Sequence, residues 1–223
     1  MAELYLALLH HPVLDKNGLI VTTALTNMDI HDIARSARTF GVTRFYVAHP
    51  VKALRVLAAK IVEHWQTGYG SSYNLTRKDA LSLVALEQDL DGVLVSIERQ
   101  SGMRPRLVVT SARSGPQRTT FSDLAAQLRH RTDPHLIVLG TGWGLAPEVM
   151  ERADVVLEPI GSPAGYNHLS VRSAAAIILD RLRGARYEEH SSTGEDRGPT
   201  ERTATVYDSN TPAAAPFPPK TLS

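Results

Sequence analysis

The sequence predicts an α/β fold, a mostly parallel sheet sandwiched by helices, on three observations. Short β-branched apolar runs recur through the first 185 residues. Amphipathic segments of helical period alternate with them. The runs are nearly continuous rather than alternating apolar with polar, the pattern of strands buried on both faces in a parallel sheet. A chain of 223 residues with 43% hydrophobic content can bury one sizeable core.

Taken in order, ELYLALLH (3–10) and LIVTTAL (19–25) read as strands. Residues 29–40 read as a helix, with Asp29 as N-cap and Gly41 just past its end. RFYVAH (44–49) is a strand, and Pro50 opens a helix over 51–65. LSLVAL (81–86) and DGVLVSIERQ (91–100) form the next strand and helix. RLVVTS (106–111) is a strand, FSDLAAQLRH (121–130) a helix, and HLIVLG (135–140) a strongly apolar strand. LAPEVMER (145–152) is a short helix, DVVLEPI (154–160) a strand, and LSVRSAAAIILDRLRG (169–184) the closing helix, with Ser170 as its N-cap. Residues 1–185 therefore form one domain. Residues 186–223, rich in Pro, Ser, Thr and Ala, bury too little apolar surface to offset their ordering entropy and are expected to be a disordered tail.

Composition narrows the chemistry. The absence of cysteine excludes disulfide scaffolds, thiolate metal sites and cysteine nucleophiles, and suits a reducing compartment. The N-terminus has no basic segment before its short apolar run, and no run approaches the roughly 20 apolar residues of a spanning helix. Neither a signal peptide nor a membrane anchor is expected, and the expected location is cytoplasmic. Formal net charge is +1, but residues 99–131 hold seven arginines against one acid, Asp123. That clustering fits a polyanion-binding face or an ordinary solvated surface.

In open parallel sheets ligands bind beyond the carboxyl ends of the strands. Three loops fall there: TSARSG (110–115), GTGWGLAPE (140–148) and EPIGSPAGYNH (158–168). Gly140, Gly142 and Gly144 follow an apolar strand, where glycine lets a ligand approach the backbone. The pattern is not a dinucleotide fingerprint, which would need glycine in place of Leu145. The third loop ends in Tyr166, Asn167 and His168 and runs into the last helix. The nine histidines show no metal-ligand spacing, so no metal is expected, and neither a G-x-S-x-G elbow nor a phosphate-cradling G-x-x-x-x-G-K-[ST] loop is present.

Three segments together resemble the SPOUT class of RNA methyltransferases. DIARSARTFGVTRFYVAHP (32–50) is similar to the first motif of that class, with Arg35, Ala37, Phe40 and Gly41 on its Arg-x-Ala-x-x-Phe-Gly core. HLIVLGTGWGLAPEVMERADVVLEPI (135–160) is similar to the second, and YNHLSVRSAAAIILDRL (166–182) to the third. Order and spacing match across residues 1–185. The nearest resemblance is to a bacterial subfamily that occurs alone and fused to tRNA guanine-N1 methyltransferases. Asp29 and His31 stand where ribose-methylating relatives have Asn and Gly, and Ser170 stands where the third motif usually has Asn. The acceptor, ribose oxygen or base nitrogen, stays open.

The resemblance implies a C-terminal deep trefoil knot, S-adenosylmethionine as cofactor, RNA (tRNA in preference) as substrate, and a homodimer whose sites take residues from both subunits. It implies that Thr110, Leu139, Gly140, Gly142, Trp143, Gly144, Ile160 and Leu169 hold the cofactor, with the glycines leaving room for its bent form. Arg35, Asn167 and Ser170 would be catalytic, Arg35 by binding phosphate and stabilising charge, because its pKa above about 12 makes it a poor base. Arg35 would then reach the partner's cofactor. Arg38, Arg113 and Arg172 would bind substrate, and Asp29 and His31 are secondary proton acceptors. Trp143 is placed to stack on a base, while core packing is expected of Trp65, Tyr69 and Tyr73. The alternatives are an RNA- or nucleotide-binding module without catalysis and a small-molecule enzyme on a doubly wound sheet.

Overall fold

The computed structural model describes residues 2–161 and 164–184, within one compact unit, 1–186. The expected tail, 186–223, lies outside the described residues. The chain opens with β1 (Leu4–Leu9), followed by a two-stranded antiparallel hairpin, β2 (Val13–Leu14) and β3 (Ile20–Val21). Then come α1 (Asn27–Thr39), β4 (Arg44–Ala48), α2 (Lys52–Gln66), α3 (Gly70–Tyr73), α4 (Leu75–Leu81), β5 (Val84–Glu87) and α5 (Leu90–Ser101). The second half holds β6 (Arg106–Val109), α6 (Phe121–His130), β7 (His135–Gly140), α7 (Pro147–Met150), β8 (Val155–Val156) and α8 (Val171–Arg183).

Six strands pair in parallel in the order β5-β4-β1-β7-β6-β8. Parallel pairing forces crossover connections, which the helices supply. The continuous apolar runs are explained by two cores. Leu4, Leu6 and Leu8 of β1 face α1, α6 and α8, while Tyr5, Ala7 and Leu9 face α5 and the α7 turn. β7 divides in the same way, with Ile137 and Leu139 on the first side and Leu136 and Val138 on the second. The sheet order changes direction between β1 and β7, which opens a crevice at their carboxyl ends.

Several boundaries differ from the sequence expectation. LIVTTAL is not a core strand: only Ile20 and Val21 pair, Leu19 and Ile20 are exposed, and Thr23 N donates to His10 O instead (2.9 Å). The N-cap of α1 is Thr26, whose Oγ1 accepts from Asp29 N (3.2 Å) and donates to Asp29 Oδ2 (2.6 Å). That reciprocal pair satisfies the first turn and displaces Asp29 from the capping role. Leu81 ends α4 rather than opening β5, because Asn74 caps a short helix by accepting from Arg77 N (2.9 Å), and Ala80 and Leu81 bury beneath it. Ser170 caps α8 as expected, accepting from Ser173 N (3.2 Å).

Candidate active site

The crevice beyond β1, β6 and β7 is a cleft of about 870 Å³, inside the roughly 300–1,000 Å³ range of small-molecule sites. Its three walls are the three loops singled out from sequence. Thr110, Leu139, Gly140, Gly142, Trp143, Gly144, Ile160 and Leu169 all line it, and so do Asn167, Ser170, Arg113 and Arg172. Arg35 and Arg38 do not. They stand on α1 outside the cleft, and Arg38 pairs with Asp79 (2.7 Å) on an exposed face.

The glycine loop is built as a rigid wall. Thr141 N and Oγ1 both donate to Leu9 O (3.3 and 3.1 Å), and Thr141 Oγ1 meets Thr23 Oγ1 at 2.5 Å. Trp143 N donates to Leu14 O and Leu14 N to Gly144 O, each at 2.8 Å, so β2 clamps the loop from outside. Gly142 has φ +60°, and a Cβ there would lie 2.8 Å from Leu14 O. A Cβ at Gly140 would lie 2.9 Å from Leu145 N. The protein's own packing therefore already requires those two glycines, alongside the room that a bound ligand would need. At Gly144 no protein atom stands within 4 Å of the position a Cβ would take. Trp143 is 56% exposed at the mouth.

The third loop is tied to the first by Asn167 Nδ2, which donates to Ala112 O (2.9 Å). Asn167 is thus a tether, and Ser170 a helix cap, whatever else they touch. Arg172 is held by α1: its Nη1 donates to Asp29 Oδ1 (2.7 Å), and its Nε lies 3.4 Å from Asp32 Oδ2. Asp29 is only 6% exposed, so this ion pair joins the starts of α1 and α8 across the cleft floor. Asp32, three residues before Arg35 on α1, is thus engaged by Arg172, and the exposed Arg35 side chain makes no ion pair among the described residues. The arginines of 99–131 do not gather at the site. Arg131 pairs with Asp133 (2.7 Å), Arg118 Nη2 donates to Arg113 O (3.0 Å), and Arg113 alone of the seven lines the cleft.

Sequence reasoning missed Thr23, Thr141 and Glu158 among the lining residues. Glu158, an acid ending an apolar run, was the one visible signal. Its Oε1 accepts from Phe121 N (2.7 Å), fixing the start of α6 against the cleft. Behind Thr23 lies a buried imidazole pair, His10 and His49, with ring centroids 5.1 Å apart. Neither ring nitrogen of His10 has a hydrogen-bond partner, and burial, with His49 alongside, pulls its pKa down to about 4. His49 Nε2 lies 3.0 Å from Thr23 O, and burial lowers its pKa too.

Among the described residues, no group of three or more His, Cys, Asp or Glu side chains is arranged to hold a metal ion, and no helix is long and apolar enough to cross a membrane. The cleft suits a nucleoside-sized ligand. Leu139, Ile160 and Ile178 give apolar surface, Gly144 opens backbone to contact, and Ser111, Glu158 and Asp29 offer polar groups.

Comparison with known proteins gives the cleft a context. A family model described as SAM-dependent RNA methyltransferase matches residues 3–184. An uncharacterized protein of Aquifex aeolicus is 43% identical over 180 residues, covering 81% of this chain and 88% of its own. A tRNA (guanine-N(1)-)-methyltransferase of Nitratidesulfovibrio vulgaris is 46% identical over 185 residues, covering 83% of this chain and 43% of its own. Another, from Oleidesulfovibrio alaskensis, is 45% identical over 182 residues, covering 82% and 42%. The chain thus spans less than half the length of these two relatives. Among solved structures, a probable methylase family protein from Haemophilus influenzae superposes with TM-score 0.55 at 17% identity, covering 89% of this chain and 72% of that one. A protein assigned to the TrmH family of RNA methyltransferases, from Porphyromonas gingivalis, gives 0.50 at 20% identity, covering 82% and 59%. At such identities the two structures bear on the fold alone, a parallel sheet flanked by helices.

Proposed function

The chain belongs to the family of SAM-dependent RNA methyltransferases, and from that premise we propose that it methylates tRNA, in the cytoplasm, as a homodimer with composite sites. One observation carries the reading. All eight residues that the SPOUT resemblance assigns to the cofactor line a single cleft at the carboxyl edge of the sheet, while the Arg35 of the same motif set stands outside it. The relatives' names support tRNA. The exposed apolar side chains Leu19, Ile20 and Met28 support pairing of two copies. The trefoil knot belongs to the same reading and is supported by the contact of the third loop with the first, Asn167 with Ala112.

When bound, S-adenosylmethionine supplies an electrophilic methyl group on sulfur. Leu139, Ile160 and Ile178 would hold its apolar surface and exclude water, and the backbone around Gly144 and Thr110 would meet its polar groups. Trp143, at the mouth, stacks on the incoming base. Arg113 and Arg172 both line the cleft, where they would hold a phosphate of the nucleic acid in position. Arg35 of the partner subunit would complete the site and stabilise negative charge developing at the acceptor, whose proton passes to solvent water. Asp29, buried and already paired with Arg172, positions that arginine.

Calorimetric titration with S-adenosylmethionine and with NADH, followed by methyl transfer to a bacterial tRNA pool, tests the proposal. Micromolar binding of the first alone and a methyl mark on tRNA are expected. Transfer to ribosomal RNA and not to tRNA would refute the substrate assignment.

A further inference from the structure

Trp65 is the centre of a continuous surface made by α1 to α4. The His31 imidazole meets its ring edge-on at 5.6 Å, and that of His64 does so at 5.3 Å. The Arg77 guanidinium lies over the ring, 4.6 Å from its centroid. Gly70 packs so close that a Cβ there would come within 2.7 Å of Trp65 Cε3. On either side of Gly70, Tyr69 and Tyr73 stand in solvent, 71% and 72% exposed. Their rings are stacked on one another, 6.1 Å apart at 23°. Core packing, expected of all three aromatics, holds only in part for Trp65 and not for the tyrosines.

Two large rings held in water and ordered against each other contribute to the fold no more than one exposed aromatic pair. Their position is better explained by what they present. Ring faces next to unneutralised cations match the two halves of an unpaired nucleotide, a base to stack and a phosphate to pair. The charges near them are suitably placed. Arg35 shares one face of α1 with His31, four residues before it, and Arg77 lies beside that imidazole; burial and Arg77 lower the His31 pKa, so the two arginines carry the charge. Asp32 and Asp79, the acids nearest in sequence to these groups, are engaged by Arg172 and Arg38. Glu63 is the exposed acid on this side of α2.

We infer that α2–α4 form a platform for unpaired RNA, in which the Tyr69–Tyr73 stack receives a base flanking the methylated nucleotide while Arg35 and Arg77 meet its phosphates. The inference rests on the RNA methyltransferase reading and adds to it a recognition surface outside the cleft. A duplex hides its base faces, so the platform selects single-stranded loops.

The test is fluorescence anisotropy of a short fluorescein-labelled unpaired RNA of mixed sequence with the full-length protein. The double variant Tyr69→Ala, Tyr73→Ala should bind it roughly tenfold more weakly, the effect of losing one stacked base. Binding of the same sequence as a duplex, and calorimetric affinity for S-adenosylmethionine, should not change. Tyr69→Phe with Tyr73→Phe should restore binding. Arg77→Gln should reduce the slope of log affinity against log salt by about one. Unchanged affinity in the double alanine variant, or no binding of unpaired RNA by the unaltered protein, overturns the platform. So does a fall in oligomeric state on light scattering, which would make this face a contact between copies. Failure of S-adenosylmethionine to bind would instead refute the cleft assignment and leave the RNA measurement standing.

Discussion

Gly142 shows how one residue couples loop to hairpin. With φ +60° and Leu14 O where a Cβ would go, Gly142→Val cannot leave the fold untouched. The substitution should cost about 3 kcal/mol or more from strain and displacement of β2, seen as a lowered urea midpoint, with cofactor affinity lost as a consequence. His10 gives the pH dependence. Its folded pKa of about 4 is below the unfolded value of about 6.5. The unfolded chain therefore binds the proton more readily. Stability present above about pH 6.5 is lost as pH falls, and the loss is complete near pH 4. It amounts to about 3 kcal/mol, and most of it should be gone by pH 5. His10→Gln should flatten the urea-midpoint profile over that window, and an unchanged profile would assign the slope to other groups. Sequence could count histidines, but an orphaned imidazole is a property of what surrounds it.

At the scale of elements, α1 and α8 meet through Asp29 and Arg172. Arg172→Ala strands a buried carboxylate. The expected cost is about 2 kcal/mol, below that of a fully buried pair because Arg172 is partly exposed. A cycle with Asp29→Asn should show coupling rather than additivity in chemical denaturation. Ser170 caps α8, so Ser170→Ala should cost about 1 kcal/mol, while Ser170→Asp keeps the cap. Turnover retained in the aspartate variant would reduce Ser170 to a cap. Turnover lost at unchanged stability would place its hydroxyl on the substrate. The cap of α8 was legible in the sequence, as were the strands β1, β4 and β7, because periodicity and N-cap chemistry are local. The α3–α4 insert was not, since its helices are short and owe their order to Trp65 and the buried Leu81.

For the whole molecule, the question is whether one site is drawn from two chains. Arg35→Ala should keep cofactor affinity and remove turnover. Ser111→Trp, which fills the cleft, should remove both. Mixed and allowed to exchange subunits, the two inactive variants should regain part of the activity, because one composite site in each heterodimer keeps an intact cleft and an intact Arg35. No recovery after demonstrated exchange would place Arg35 in its own subunit's chemistry, against its position outside the cleft.

The layered α/β architecture and the three loops at the carboxyl edge were legible in the amino-acid sequence, because each is written in runs of adjacent residues, and the resemblance pointed to Gly144, Thr110 and Ile160, which line one cleft. Which arginines stand at the cleft, the packing against Gly140 and Gly142, and the exposure of Tyr69 and Tyr73 became visible in the folded chain alone. Those outcomes depend on contacts between segments distant in sequence, such as Leu14 with Gly142 and Asp29 with Arg172. Such contacts form only once the sheet order is fixed, and no local pattern of residues encodes them.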